Sequence, residues 1–327
     1  MTEHRTALIL GATGGIGGAV AQRLLAAGWT VKALHRKAAD QQARAPRLCW
    51  IQGDAMERAD VINAARGVAL IVHAVNPPGY RNWGALVLPM IENSIAAARA
   101  AGARILLPGT VYNYGGDAFP FVDVDAGQHP ATRKGAIRVE MERRLEAAAA
   151  DGVRSLIVRA GDFFGPGAAN NWFSQGLVKP GAHPTTVHNP GMPGVGHQWA
   201  YLPDVAETMV RLVERDAELG TFARFHMDGH WDADGQTMAA TVARVAGARH
   251  VKPLAWWMLM ALSPFVPTLR ELREMRYLWS TPVRLDNQRL RALLGSEPHT
   301  PLDEAVRATL AGLGCLPKAP RAELERA

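Results

Sequence analysis

The stretch Ala7-Leu8-Ile9-Leu10-Gly11-Ala12-Thr13-Gly14-Gly15-Ile16-Gly17 decides how this chain is read. Its apolar start has the character of a buried strand, and the AVAQRLLAA that follows at Ala19–Ala27 has the character of a helix. Gly11, Gly14 and Gly17 stand at the strand-to-helix step. There the first glycine permits a tight turn, the next lets backbone approach a diphosphate, and the third lets helix and strand pack closely. The helix N-terminus adds unpaired N–H groups and a positive dipole. Thr13, Gly15 and Ile16 complete the predicted phosphate-binding turn. It is the strand before and the helix after that separate this pattern from a merely flexible loop.

Outward from that turn the chain alternates. Apolar runs at Val31–Leu34, Leu48–Ile51, Val68–Val75, Arg104–Leu107 and Val153–Arg159 are separated by helical sequence at Arg58–Arg66, Leu86–Ala101 and Lys134–Ala150. Strands spaced by helices predict an α/β fold, a doubly wound parallel Rossmann sheet covered on both faces, with ligands beyond the C-terminal strand ends. After Gly161 the sequence turns rich in Gly, Pro and His. A helix at Asp204–Glu214, a short strand near Phe222–Met227 and helical sequence from Gln236 to Leu313 follow. The expected division is residues 1–160 as the nucleotide-binding domain and 161–327 as a smaller, mostly helical substrate lid, with 197–226 returning to the sheet.

Composition excludes several classes. The chain has 327 residues, 48% of them hydrophobic and 20% charged, which suits a globular protein and not a disordered one. A net charge of +6 without a sustained basic block is a weak field, so no nucleic-acid partner is expected. Cys49 and Cys315 alone build no disulfide framework, and the start lacks an apolar targeting segment, so a cytoplasmic setting is expected. Leu254–Val266 is too short to span a bilayer and contains Pro264, so no membrane partner is expected either.

At the end of the second strand an NAD-binding chain places Asp or Glu to accept from the ribose 2′-hydroxyl. Here the residues are His35-Arg36-Lys37. A guanidinium pairs bidentately with a 2′-phosphate, so NADP is expected over NAD. Asp54, followed by Ala55, either accepts from the adenine amino group or caps the next helix. Ala74 and Val75, small residues after the fourth strand, are expected beside the dinucleotide, with Asn76 toward the substrate and His73 as a packed histidine.

Four segments together resemble the extended short-chain dehydrogenase/reductases, the NAD-dependent epimerase/dehydratase-like family. They are GATGGIGG at Gly11–Gly18, Gly109-Thr110-Val111-Tyr112-Asn113-Tyr114-Gly115, Arg159-Ala160-Gly161-Asp162-Phe163-Phe164-Gly165-Pro166-Gly167, and Tyr201-Leu202-Pro203-Asp204-Val205-Ala206. The resemblance implies a Ser/Thr hydroxyl that orients the substrate oxygen, a Tyr that exchanges a proton with it, and, four residues on, a Lys that lowers the Tyr pKa and binds the nicotinamide ribose. Thr110 and Lys134 match the first and last, but Pro130 stands where the Tyr belongs. Tyr114 or Tyr112 on the neighbouring loop then supplies the phenol, or substrate, water, His129 or Arg133 supplies the proton, or the site binds NADPH without turnover. Thr110 also has an ordinary reading, as a loop residue bonded to backbone.

Phe163, Phe164, Trp172 and Phe173 are expected to wall the nicotinamide end, with Asn170, Asn171, Gln175 and His197 as polar contacts to a small-molecule substrate. The histidines lack tight helical spacing, so no metal is expected. Trp256, Trp257, Met258 and Met260 read as core, as a pocket lining or as a contact with a partner subunit in a homodimer. The sequence therefore points to an NADP-dependent oxidoreductase that reduces carbonyls or oxidises alcohols by hydride transfer. An inactive NADP(H)-binding sensor and a sugar-nucleotide epimerase/dehydratase are the alternatives.

Overall fold

The computed structural model describes residues 5–77, 83–168, 171–263 and 273–316. Asn170 and the stretch Pro264–Val266, both named above, lie outside the described residues. The strands are β1 (Thr6–Leu10), β2 (Thr30–His35), β3 (Cys49–Gln52), β4 (Leu70–His73), β5 (Arg104–Gly109), β6 (Phe121–Val122) and β7 (Ser155–Arg159). They continue with β8 (Asp162–Phe164), β9 (Thr186–Asn189), β10 (His197–Tyr201), β11 (Phe222–His226), β12 (His230–Asp232), β13 (His250–Pro253) and β14 (Arg284–Leu285). Helices α1 (Gly15–Ala26), α2 (Ala38–Arg44), α3 (Arg58–Ala64), α4 (Trp83–Ala101) and α5 (Arg133–Ala149) lie in the first half. The second half carries α6 (Leu202–Glu214), α7 (Thr237–Ala246), α8 (Trp256–Leu262), α9 (Gln288–Leu294) and α10 (Leu302–Gly312).

Seven parallel strands form the main sheet in the order β11-β7-β5-β4-β1-β2-β3. Successive side chains point to opposite faces, so Ala7 and Ile9 of β1 join one core while Leu8 and Leu10 join the other. The first core includes Val20 and Leu24 of α1 with Val205 and Met209 of α6; the second includes Ile91 and Ile95 of α4 with Met141 and Leu145 of α5. With both faces covered, β4, β5 and β7 read as continuous apolar runs, the usual signature of a parallel sheet. β11 closes one edge beside β7, with His226 opposite Arg159, whereas β10 lies in a small sheet of order β12-β10-β8.

A third core joins Phe164 of β8, Phe173, Trp199 of β10, Met238 and Val242 of α7, Trp279, and Val306 and Leu310 of α10. It gives the C-terminal part its own packed interior above the strand ends. In α8 the Trp256 indole donates to the Pro190 carbonyl at 2.9 Å, but Trp257 is 77% exposed. That helix is thus only partly used as core.

Candidate functional site

The Gly-rich turn is held by backbone geometry that side chains would break. Gly11 has φ +94°, and a Cβ there would lie 2.5 Å from the Ala74 carbonyl oxygen. A Cβ on Gly17 would run into the Gly11 carbonyl. Ala74, hydrogen-bonded to Leu10 at 2.9 Å, is thereby pressed against the turn, with Val75 next in sequence. Gly14 caps α1 without any side-chain hydrogen bond, and the first turn carries no acidic residue. Thr13 and Gly14 are exposed, so the helix start can take an anion, as the diphosphate of a dinucleotide requires.

Beside the turn lies a cavity of about 390 Å³ lined by Thr13, His35, Trp50 and, from α2, Gln41 and Arg44. The His35 ring meets Trp50 edge-on at 5.9 Å and accepts from the Lys37 N–H at 3.0 Å. Arg36 is exposed, and its carbonyl accepts from the Gln52 amide at 2.5 Å. Gln41 and Arg44 escape a sequence reading because AADQQAR buries only Ala38 and so shows no helical apolar stripe. Asp54 accepts from the Met56 N–H at 3.0 Å, which makes it a cap of its own turn, and the Ala55 carbonyl accepts from Asn93 at 3.0 Å.

Over the ends of β5 and β7, Thr110 donates its hydroxyl proton to Asn113 Oδ1 at 2.7 Å. Lys134 sits in the first turn of α5, which is capped by Thr132 accepting from the Gly135 N–H at 3.0 Å. Gly135 has no room for a Cβ against the Tyr112 carbonyl, so the Thr110 loop and the start of α5 are in direct contact. Lys134 is buried, with Nζ 3.6 Å from Glu274 Oε2, while Glu274 Oε1 accepts from the Arg133 N–H at 2.7 Å. Glu274 is 140 residues from Lys134, and no motif marks it in the sequence.

Tyr114, the phenol expected near the substrate, lies in the interior of this structure. It is fully buried, with its hydroxyl 3.1 Å from His226 Nε2, and burial raises its phenol pKa. The phenol is enclosed by protein. It belongs to a buried network in which the Arg159 guanidinium donates to both Glu142 oxygens at 2.6 and 2.7 Å, to the Thr110 carbonyl at 2.7 Å and to His226 at 2.9 Å. Glu142 also accepts from Asn113 and Gln128. This network sets the loop that carries Thr110.

Phe164 is fully buried and stacks on Phe173 at 5.7 Å, inside the third core. Phe163 is partly buried against the first core, Asn76 is exposed, and Asn171 is spent on local turns, donating to the Ala168 carbonyl and accepting from Ser174. His73 is buried on Ser94 at 2.8 Å and pushed down to about 3 by that burial. His197 Nε2 lies 2.9 Å from Asp162 Oδ2, its Nδ1 lies 3.2 Å from the Leu278 carbonyl, and its ring stacks on Trp279 at 3.8 Å. Asp162 was not singled out above, since nothing local ties it to a histidine 35 residues away. Among the described residues no group of three or more His, Cys, Asp or Glu could hold a metal ion, and no helix is long and apolar enough to cross a membrane.

Residues 7–225 match the model of the family described as NAD dependent epimerase/dehydratase family. Among solved structures, MoeE5 in complex with UDP-glucose and NAD is similar at TM-score 0.72 and 18% identity, over 94% of this chain and 98% of that one. WbmH of Bordetella bronchiseptica in complex with NAD+ is similar at TM-score 0.67 and 19% identity, over 95% and 98% of the two chains. The UDP-N-acetylglucosamine 4-epimerase from Bacillus cereus is similar at TM-score 0.70 and 15% identity, over 97% and 99%. A comparison with curated proteins finds no match.

Proposed function

The chain belongs to the NAD dependent epimerase/dehydratase family, and from that premise we propose that it is an NADP-dependent oxidoreductase that reduces a carbonyl or oxidises an alcohol. The observation that carries this reading is the end of β2. His35-Arg36-Lys37 stands where an NAD site would present a carboxylate, and the adjoining cavity adds Arg44 and Gln41 near Thr13. A 2′-phosphate suits that setting better than a bare ribose hydroxyl. When bound, the dinucleotide supplies a hydride at nicotinamide C4.

The chain's own residues do the rest. The uncapped start of α1 and the backbone of Thr13–Gly17 hold the diphosphate, Ala74 and Val75 flank the dinucleotide, and Lys134 binds the nicotinamide ribose. Thr110, whose hydroxyl proton is already given to Asn113, keeps its lone pairs for a substrate hydroxyl. With Pro130 in place of the family's Tyr, proton transfer needs another group.

A sugar-nucleotide epimerase is the second reading, favoured by the structural neighbours solved with UDP-glucose or as UDP-sugar epimerases. The test measures NADPH and NADH binding by nucleotide fluorescence, then NADPH oxidation with a panel of ketones, aldehydes and quinones, with UDP-glucose and NAD+ as the epimerase arm. Arg36→Ala and Arg44→Ala should each weaken NADPH at least tenfold, about 1.4 kcal/mol, while moving NADH less than threefold. Equal weakening of both would refute the 2′-phosphate assignment. NADPH binding with an inert panel would leave a sensor, and turnover of UDP-glucose would establish the epimerase.

A further inference from the structure

The family position that should hold the proton-transferring phenol is Pro130; of the two phenols on the nearest loop, Tyr114 is sealed in the core and Tyr112 is partly buried against the second core. A group must still exchange a proton with the substrate oxygen if hydride transfer is to be balanced. The mouth of the sheet holds one pair built for this. β7 ends at Arg159, opposite Gly109 of β5, and β8 begins at Asp162, so Asp162 stands over the same strand ends as Thr110. Its side chain is 18% exposed, whereas that of His197 behind it is 8% exposed. Asp162 is thus the more exposed member of the pair.

Hydrogen-bond arithmetic shows what the pair carries. Both ring nitrogens of His197 lie against oxygen acceptors, Nδ1 against the Leu278 carbonyl at 3.2 Å and Nε2 against Asp162 Oδ2 at 2.9 Å. A neutral imidazole has one N–H, so with an ionised carboxylate it would leave one contact as two facing lone pairs. One further proton, shared between Nε2 and Oδ2, would satisfy both contacts. The ring is kept in place by the Trp279 stack, at 3.8 Å and 8° between planes, and by Trp199 edge-on at 5.1 Å.

We propose that Asp162 and His197 form the proton-transfer pair of this site, with Asp162 touching the substrate oxygen and His197 as the positioning residue that stores the proton. The inference rests on the hydride-transfer reading above. In carbonyl reduction the stored proton leaves the pair through Asp162, an O–H bond forms on the substrate as the hydride adds to its carbon, and the pair is left as neutral imidazole and carboxylate. Water returns the proton; alcohol oxidation runs the same steps backwards. The other titratable groups around the pair are Tyr277 and Glu274 of the C-terminal segment and Asp232 of β12, the register partner of His197. Burial, with Asp162 and Glu274 nearby, pushes the Tyr277 phenol up, which suits it poorly to hand a proton back and forth.

Long-range 1H–15N correlation of the histidine rings at neutral pH, with His197 assigned by its loss in His197→Gln, tests the stored proton without substrate. Both ring nitrogens protonated in wild type, with one of the two protons lost in Asp162→Asn, is expected. A ring with a single proton in wild type, or a doubly protonated ring unchanged by that substitution, overturns the proposal. In the second arm, the carbonyl compound best reduced by wild type with NADPH is given to Asp162→Asn and His197→Gln. A fall of at least about 100-fold in turnover, with NADPH binding within twofold, is expected for Asp162→Asn. Turnover kept within threefold in both variants, or lost in Tyr277→Phe or Tyr112→Phe and kept in Asp162→Asn, overturns the pair while leaving the oxidoreductase reading standing. An inert wild type removes that reading and the pair's role with it. Should Asp162→Asn fail to fold by circular dichroism, Asp162→Glu and His197→Gln carry the same comparison.

Discussion

Replacing Glu142 by Gln probes the network that sets the Thr110 loop. Glu142 and Arg159 are both buried, and the carboxylate accepts from the guanidinium twice, from Asn113 at 2.9 Å and from Gln128 at 2.8 Å. A Gln of the same shape removes the charge and turns one acceptor into a donor facing other donors. Arg159 is left as a buried cation without its counterion, a defect worth about 3–5 kcal/mol. Unfolding entropy is about 2.1 cal/mol/K per residue, or roughly 0.7 kcal/mol/K for a chain of this length. The melting temperature should therefore fall by about 4–7 °C. Thermal unfolding followed by circular dichroism, run beside Arg99→Ala, makes the comparison direct. Arg99 pairs with Asp151 on the surface, where both side chains are largely exposed, and its loss should move the midpoint by less than about 1 °C. A shift that small in Glu142→Gln would refute the claim that this pair organises the site.

Gly17→Ala places a methyl group against the Gly11 carbonyl, so NADPH binding should fall at least tenfold in a fluorescence titration; unchanged binding would contradict the turn geometry. Tyr114→Phe removes only the bond to His226, worth about 1 kcal/mol, and should melt 1–2 °C lower, by the same roughly 0.7 kcal/mol/K, with turnover within threefold of wild type. A large loss of turnover would return the phenol to the chemistry. Burial lowers His73 to about 3 and His226 well below its usual 6.5. Well above pH 6.5 neither state binds a proton at these rings; below it the unfolded chain does and the native chain does not, so stability falls as the pH is lowered. Between pH 6.5 and 5.5 each ring accounts for about 1 kcal/mol, and His73→Gln should shrink the acid-side drop in melting temperature by about 1.5 °C.

Much of the architecture was legible because parallel strands covered on both faces must be apolar throughout. Leu8–Leu10, Ile71–Val72 and Leu156–Val158 could be read directly, and so could Gly11 and Gly17, where backbone crowding admits nothing larger. The strands that carry chemistry were not legible. β8 is only three residues long and sits in a Gly-rich stretch, and the partner of Asp162 lies on β10, far along the chain. Arg159, a fully buried cation inside an apolar run, looks like a strand end until Glu142 is brought to it from α5. Tyr114 looked available because a loop residue after β5 is usually exposed, but the His226 edge of the sheet folds over it. Glu274 reaches Lys134 from the far end of the chain, a long-range meeting that no local pattern encodes.

The position of β11 has a consequence for how this molecule is made. The outermost strand of the nucleotide-binding sheet comes from the second half of the chain and brings His226 to Arg159. A fragment stopped soon after β7 would present an unpaired apolar edge, ready to join other nascent chains. It would also expose an arginine deprived of part of its shell. On the ribosome the sheet is completed only once the strand at Phe222–His226 has emerged.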